Sequence, residues 1–329
     1  MTRSIGLVVA LIALGAAVIV SLGVGARVVA PTAVLDALFA YDGSDLHAIV
    51  RDARLPRTII GVIAGIALGG CGALIQAYTR NPLADPGILG VNAGATFAIT
   101  MGAGFLGLRA PLQYMWLSLG GALVVTLLVY VIGRASREGA TPIRMTLTGV
   151  ALGAILTGLS SIVVLKNLEI FSSLRFWGMG SLGGRNAEVI STVAPVVILG
   201  LIIAAFASGS LNAIALGDDL GASLGVNIPL TRGLAIAGVT LLAGGAVALA
   251  GPIAFVGLMV PHAVRWFTGP DQRWILAFAV VVAPVLLLVS DVIGRVVLPE
   301  GELPVGIVTV VLGAPVLILL ARRRQVSGL

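Results

Sequence analysis

Charged residues are scarce in this sequence, and it contains a single cysteine. Only 10% of its 329 residues are charged and 58% are hydrophobic, with a mean hydropathy of +1.11. An ordinary soluble domain carries roughly 25% charged residues, so the composition excludes one and indicates a polytopic membrane protein. Because Cys71 is the only cysteine, the chain can form no internal disulfide bond.

The basic residues do not form the clusters that nucleic-acid binding needs. The sequence pI is about 10.4, which on its own could indicate a nucleic-acid partner. The arginines are instead scattered over short loops between apolar runs, where basic residues commonly flank a bilayer. We therefore expect the chain to be surrounded by lipid and to bind no nucleic acid.

Ionisable residues are missing from the apolar runs except near their ends. Ion-coupled carriers and proton pumps need such buried groups to bind and release the coupling ion. The sequence also lacks the G-x-x-x-x-G-K-[ST] loop that holds ATP phosphates. His262 has no Cys, Asp or Glu companion, so we expect no metal site. Two alternatives remain: a passive channel, or a transport subunit powered by another protein.

Apolar runs of about 20 residues, the length that crosses a bilayer, predict about ten transmembrane helices. They form an all-α, single transmembrane domain over residues 1–329. The first run is longer than the apolar part of a signal peptide, about 7–15 residues, so we expect it to persist as a helix. The predicted spans are 4–26, 55–77, 86–106, 112–133, 145–165, 189–207, 232–250, 252–267, 274–293 and 305–321.

The distribution of arginines suggests an orientation. An even number of spans places both termini on one side, and Arg322, Arg323 and Arg324 directly follow the last span. The positive-inside rule therefore favours cytoplasmic termini. The arginines at 51, 54 and 57 then cluster outside, against the usual bias, which suggests a specific external use.

A polar break interrupts the apolar sequence between the second and third spans, at residues 81–92. Its prolines, aspartate and asparagines cannot face hydrocarbon, because each unpaired polar group there costs several kcal/mol. We expect an ordered hinge near the inner mouth of a pathway, with Asp85 as a capping group. The hinge residues are Asn81, Pro82, Asp85, Pro86 and Gly87.

A faint internal repeat relates the two halves of the chain. Residues 69–91 and 244–260 each contain a Gly-Gly pair followed by a break that contains proline. On the predicted topology the two copies run in opposite directions, as in an inverted repeat of spans 2–5 and 7–10. The alternative is a chance match produced by the abundance of glycine.

The segment between spans six and seven, residues 208–231, predicts a short helix. Asp218 and Asp219 can cap it, and Gly225 can end it. Two interpretations are open: an ordinary surface loop, or a lever that passes a partner's motion into the neighbouring spans.

Several sequence stretches are similar to one known family. They are RLPR at 54–57, NPLADPGILGVNAGA at 81–95, LRFWGMGSL at 174–182, GPIAFVGLMVPHAVRW at 251–266 and ELPVGIVTVVLGAPV at 302–316. They resemble the permease subunits of type II ABC importers for iron–siderophore, haem and cobalamin, the FecCD-type family. With DVIGRVVLP at 291–299, the combination is most similar to ferric-enterobactin-type permeases.

The resemblance implies a non-catalytic subunit of a bacterial cytoplasmic-membrane importer. Its cargo would be a ferric siderophore, with haem or cobalamin as alternatives and a stand-alone channel or ion-coupled carrier as the rival class. Its partners would be a second permease, favoured as a heterodimer, two cytoplasmic ATPase subunits and an external substrate-binding lipoprotein. ATP and magnesium would bind the ATPase subunits, and this chain would hold no cofactor.

The resemblance also implies roles for individual residues. The expected ATPase-coupling residues are Leu216, Gly217, Asp218, Asp219, Ala222, Leu224 and Gly225. The expected docking residues for the binding protein are Arg54, Arg57 and Arg295. As alternatives, Arg54 and Arg57 could anchor a span at the headgroups, and Arg295 could pair with Asp291 one helical turn away.

The cargo pathway is the least defined part of the prediction. Thr141 matches a position near the family's cytoplasmic gate, although Pro142 departs from the small hydroxyl residue of cobalamin-type members. Thr157, Ser160 and Ser161 share one face of a helix. Their hydroxyls could line the pathway or could hold helices together.

Overall fold

The computed structural model describes residues 3–25, 27–134, 141–167, 172, 174, 177–184 and 187–322. Within these residues the regular structure is helical, and seven helices are long and apolar enough to cross a membrane. The predicted class, an all-α polytopic membrane protein, is confirmed. Arg175, Phe176, Arg323 and Arg324, which belong to the predicted motifs and termini, lie outside the described residues.

The α-helices whose bounds fall within the described residues take numbers in chain order. They are α1 (Arg3–Gly23), α2 (Pro31–Phe39), α3 (Asp45–Ala48), α4 (Leu55–Thr79), α5 (Val91–Phe105), α6 (Pro111–Arg134), α7 (Pro142–Lys166), α8 (Ala187–Ala215), α9 (Asp218–Ser223), α10 (Ile228–Ala250), α11 (Val256–Thr268), α12 (Gln272–Val296) and α13 (Val305–Arg322). A π-helical turn, Ile49–Arg54, joins α3 to α4, and a 3₁₀ turn, Pro86–Leu89, precedes α5.

A helix occupies each predicted span, but two helices start later than the sequence suggested. α5 begins at Val91 because Pro86–Leu89 forms a 3₁₀ turn that ends at Gly90, with φ of 74°. α11 begins at Val256, after Gly251 and Pro252 have ended α10. At 15 and 13 residues, both are shorter than the roughly 20 residues that a bilayer crossing needs.

The centre of the bundle is built from α4 and α10, most of whose apolar residues are buried. The two helices pack against each other, and α4 also packs against α11 and α12. Small residues permit this close approach. A methyl group placed on Gly69 would lie 2.3 Å from the carbonyl oxygen of Ala279, and one on Gly72 would lie 1.8 Å from that of Gly257. The backbones of α12 and α11 therefore lie directly against α4.

Residues 31–54 form a small satellite of the bundle beside the end of α1. Val34 and Ala37 of α2 pack with Leu22 of α1 and with Val50 of the π-helical turn in a separate apolar cluster. This satellite covers the end of the bundle at which α4 begins, called here the Arg57 end. The opposite end, where α9 lies, is called the Asp218 end.

Candidate functional sites at the two ends of the bundle

The helix α9 occupies the Asp218 end as a single short helix of six residues. Gly217 enters it with φ of 119°, a conformation that favours glycine, and Asp218 and Asp219 occupy its first turn. At its other end the amide of Val226 donates to the carbonyl of Gly221, and Gly225 has φ of 82°. The helix ends at Ser223, slightly before the predicted limit at Gly225.

Asp218 joins α9 to two other helices. Its Oδ1 accepts a hydrogen bond from the guanidinium of Arg80, the residue directly after α4. Its Oδ2 accepts one from Arg232, in the first turn of α10, at 2.7 Å. Asp219 points away, is exposed, and makes no hydrogen bond or ion pair within the part of the chain that the structure describes.

Leucines form an exposed stripe along α9 and its flanks. Leu216, Leu220 and Leu224 are 64%, 57% and 64% exposed; Leu220 lies within α9, Leu216 lies just before it and Leu224 directly follows it. Ala222 and Gly225 are exposed beside them. An apolar stripe of this kind on a polar end of a protein is typical of a surface that another protein covers.

The Arg57 end contains a network of buried ions. Arg57 donates through Nη2 to Asp291 at 2.8 Å and through Nη1 to Glu302 at 2.6 Å. Asp291 is 1% exposed and also pairs with Arg295 at 2.8 Å, whereas Glu302 is 44% exposed. The pairing of Arg295 with Asp291, one of the two sequence interpretations, is present. Of these four groups, Glu302 is the most exposed, Arg57 is 13% exposed, and the other two are buried.

Arg54 and Arg295 hold the last turn of α1. Arg54 donates to the carbonyls of Leu22 and Gly23 at 2.8 Å each, and Arg295 donates to that of Ser21 at 2.8 Å. The last carbonyls of a helix have no partner within it and carry partial negative charge, so two guanidinium groups are favourable there. Arg54 is 7% and Arg295 is 4% exposed. Their predicted docking role remains a prediction.

The break after α4 is an ordered turn. Arg80 has φ of 50° and ends α4, and the side chain of Asn81 accepts a hydrogen bond from the amide of Leu83. Asp85 accepts one from the amide of Gly87 at 2.8 Å and so caps the turn that starts at Pro86. Burial raises the pKa of Asp85, and the hydrogen bond from Gly87 partly opposes that rise.

This break touches two further helices. A methyl group on Gly149 of α7 would lie 2.0 Å from the carbonyl oxygen of Ile88, and one on Gly257 of α11 would lie 3.2 Å from the ring of Pro86. Pro82 at the start of the break lies close to His262 of α11. The predicted hinge residues therefore lie between α4, α7 and α11.

The hydroxyl groups predicted for the pathway all bond within α7. Thr157 donates to Gly153, Ser160 to Leu156 and Ser161 to Thr157, each at 2.8–2.9 Å. Ser160 is buried whereas the other two are exposed. Thr141 is half-buried and forms the N-cap position of α7 without a side-chain cap. The hydroxyl groups of Thr157, Ser160 and Ser161 donate their protons within the helix, so each oxygen can still accept a hydrogen bond from another group.

Comparison with known proteins identifies the chain. Residues 11–323 match the FecCD transport family. The chain belongs to the FecCD transport family. The resemblance inferred from the motifs is thereby confirmed, and with it a transport permease rather than an unrelated channel.

Individual relatives in the FecCD family cover nearly the same length. The chain is 44% identical over 327 residues to the ferric enterobactin transport system permease protein FepD of Escherichia coli, covering 99% of this chain and 98% of that protein. It is 38% identical over 290 residues to the probable siderophore transport system permease YfiZ of Bacillus subtilis, covering 88% and 87%.

A solved structure has the same architecture as this FecCD-family chain. It is described as an inward-facing conformation of a metal-chelate type ABC transporter. The TM-score is 0.82 at 26% identity, with 96% of this chain and 98% of that one covered. The agreement over the full length places the break and α9 within an established transporter fold.

Sequence reasoning missed three ionic partners in this FecCD-family fold. Arg80 and Arg232 were interpreted only as basic residues beside spans, and Glu302 only as part of a motif. The positions of Arg80 and Arg232 were the available signal. Each arginine lies within a turn of where a span meets the Asp218 end of the bundle. Only the fold shows that both reach one carboxylate.

Proposed function

We propose that this chain is the transmembrane permease subunit of an ABC importer that moves a ferric siderophore into the cytoplasm. The observation that carries the proposal is the 44% identity to a ferric enterobactin permease across 99% of the chain. The subunit is non-catalytic and holds no cofactor, and a partner ATPase supplies the energy. It forms a single transmembrane domain with both termini in the cytoplasm.

The ATPase subunits dock on the Asp218 end. The support is the exposed stripe of Leu216, Leu220 and Leu224, which needs a covering partner in an aqueous environment. The helix that carries the stripe is short and fixed at Asp218 to two other helices. It can therefore place its exposed apolar side chains in a groove on one ATPase subunit.

The external binding protein docks on the Arg57 end. Arg57 is the member of the predicted arginine set that reaches the surface, through its contact with the exposed Glu302. Arg54 and Arg295 act indirectly by holding the end of α1 beside it. Exposed charge pairs contribute up to about 1 kcal/mol each, so they orient an encounter more than they hold a complex.

The proposed membrane topology has ten spans, in which α4–α7 and α10–α13 form an inverted repeat. Support comes from crossed packing, since α4 packs against α12 and α10 packs correspondingly against α6. Both short helices also start after a left-handed residue, Gly90 with φ of 74° and Phe255 with φ of 68°. A pseudo-two-fold axis produces correspondences of this kind. Cysteines introduced at Arg51 and at Ser223 should be labelled by impermeant reagents from opposite sides.

A second permease subunit completes the pathway, and we favour a related chain over a second copy. The face of α7 supports this arrangement, because most of that helix is exposed and it carries the hydroxyls of Thr157 and Ser161. Thr141 lies at its start, near the break, where a gate at the inner mouth belongs. Co-expression with one tagged and one untagged copy distinguishes the two assemblies.

The decisive experiment is uptake by the complete transporter in proteoliposomes. Ferric siderophore should accumulate only when ATP, the ATPase and the binding protein are all present. Haem and cobalamin, offered in parallel with their own binding proteins, should not enter. Accumulation without the ATPase would contradict an ABC importer and support a channel or carrier. Entry of haem or cobalamin instead would replace the proposed cargo.

A further inference from the structure

The carboxylate of Asp218 connects three elements that the chain otherwise keeps apart. It belongs to α9, and its two oxygens are used separately, one by Arg80 and the other by Arg232. Arg80, which is 138 residues earlier in the chain than Asp218, follows α4, and Arg232 lies near the start of α10. One side chain thus ties α9 to an inner end of each of the two central helices.

Apart from this link, α9 packs mainly against its predecessor α8 and makes only limited contact with α10. Its buried residue, Gly221, lies against Ala213 and Ile214 of α8. A displacement of α9 would therefore reach α8 through packing and would reach α4 through Asp218. The ion pairs carry the connection to the centre of the bundle.

Arg80 is also the first residue of the break. It adopts a left-handed conformation with φ of 50°, which ends α4 at this residue. From there the break runs to Ile88, whose carbonyl lies against Gly149 of α7, and it passes Pro86, which lies against Gly257 of α11. A contiguous route leads from α9 through Asp218 and Arg80 to the helix that carries Thr141 and Ser160.

We propose that Asp218 is the positioning residue that transmits movement of α9 to the break and thereby to α7. The proposal rests on the proposed docking of an ATPase on α9. Asp218 does this by holding Arg80 and Arg232 at fixed distances from α9, so that the three move together. Asp219, one residue on, faces the partner instead. Because the three ionic side chains are half-exposed, they contribute little to folding, and neutral substitutions leave the protein folded.

The test compares cargo imported per ATP hydrolysed, measured with the complete transporter in proteoliposomes. Asp218→Asn should lower this ratio about five-fold or more, the size of a typical coupling energy between sites. Co-purification of the ATPase should be retained. The matched control is Asp271→Asn, which weakens an ion pair with Arg3 at the same end of the bundle but outside α9. Its ratio should equal that of the wild type.

Three further variants separate transmission from a general structural effect. Asp218→Glu, which keeps the charge, should restore most of the ratio. Arg80→Gln should also lower the ratio, and the double variant Asp218→Asn with Arg80→Gln should be no worse than Asp218→Asn alone, because the ion pair with Arg80 is already lost in that variant. Additive losses would overturn the proposed link.

Other outcomes are equally decisive. An unchanged ratio in Asp218→Asn, or an equal fall in Asp271→Asn, would overturn the role of Asp218. Loss of ATPase co-purification in Asp218→Asn would assign the residue to docking and would also overturn transmission. Wild-type uptake that needs no ATPase would instead contradict the proposed function itself.

Discussion

Arg57 donates hydrogen bonds to both carboxylate oxygens of Asp291, a residue 234 positions later in the chain. The donors are Nε, at 3.0–3.1 Å, and Nη2, at 2.8 Å. The pair joins the start of α4 to the last third of α12. Asp291 is fully enclosed and also meets Arg295. One buried carboxylate therefore forms ion pairs with two guanidinium groups at the end of the bundle.

Removing that carboxylate should be costly. Asp291→Asn leaves Arg57 and Arg295 without their buried counter-charge, and breaking a buried pair typically costs about 3–5 kcal/mol. We expect a clear fall in the midpoint of thermal unfolding of the detergent-solubilised protein. Glu302→Gln is the control, because its partner pair is exposed and should contribute less than about 1 kcal/mol. Equal midpoints for the two variants would contradict the burial of the network.

Glu302 should compete with the binding protein for Arg57. Because its carboxylate pairs with Nη1 of Arg57, Glu302→Gln weakens that pair to a neutral hydrogen bond and removes a negative charge from the docking surface. Association of the binding protein, followed by stopped flow, should become about two- to five-fold faster, with a larger gain at low salt.

Glu300→Gln provides a matched control for that measurement. Glu300 lies in the same loop and forms no ion pair within the described part of the chain. It should change the rate less than Glu302→Gln. If the two variants behave alike at low salt, Arg57 is not the docking group.

The exposed stripe on α9 should determine ATPase binding. Leu220→Glu places a charge at the centre of the stripe and should weaken co-purification of the ATPase about ten-fold, as for a central interface residue. Phe39→Glu, at a still more exposed apolar site on α2 at the opposite end of the bundle, should have no effect. Retained association in Leu220→Glu would remove α9 from the interface.

A single methyl group on α7 should disturb the break. Gly149→Ala would bring its Cβ within 2.0 Å of the Ile88 carbonyl, so the break must shift, at a cost of about 1–3 kcal/mol. We expect reduced stability together with slower transport. One turn further, Gly153→Ala meets only the side chain of Ala93 at 3.6 Å and should gain up to about 1 kcal/mol from helix propensity. Opposite signs for the two variants are the expected result.

Apolar length and proline position were sufficient to predict the class and the approximate place of the helix in each predicted span, because burial in lipid dictates both. They did not predict α2, since Pro31–Phe39 is too short for a span and packs only after α1 and the π-helical turn have come together. The late start of α5 also depends on a local 3₁₀ turn that periodicity does not distinguish from an α-helix.

The functional ends were predictable only where the partners are close in sequence. Asp291 and Arg295 are one turn apart, and their pairing was one of two stated alternatives. The contacts from Arg57 to Asp291 and from Arg80 to Asp218 join distant parts of the chain, so no spacing rule identifies them. For the same reason Arg54 looked like an exposed residue before a span, whereas the carbonyls at the end of α1 enclose it.

The attachment of α1 has a consequence for how the protein adapts to different membranes. Arg54 and Arg295 secure its final turn. Most of its length faces outward, and in its first turn Arg3 contacts Asp271 at 3.8 Å and lies over the ring of Trp274. A helix whose two ends are held unequally can tilt about the more firmly held end when the bilayer becomes thinner or thicker. We therefore expect α1 to respond to hydrophobic mismatch by changing its tilt, which would leave α4 and α10 undisturbed.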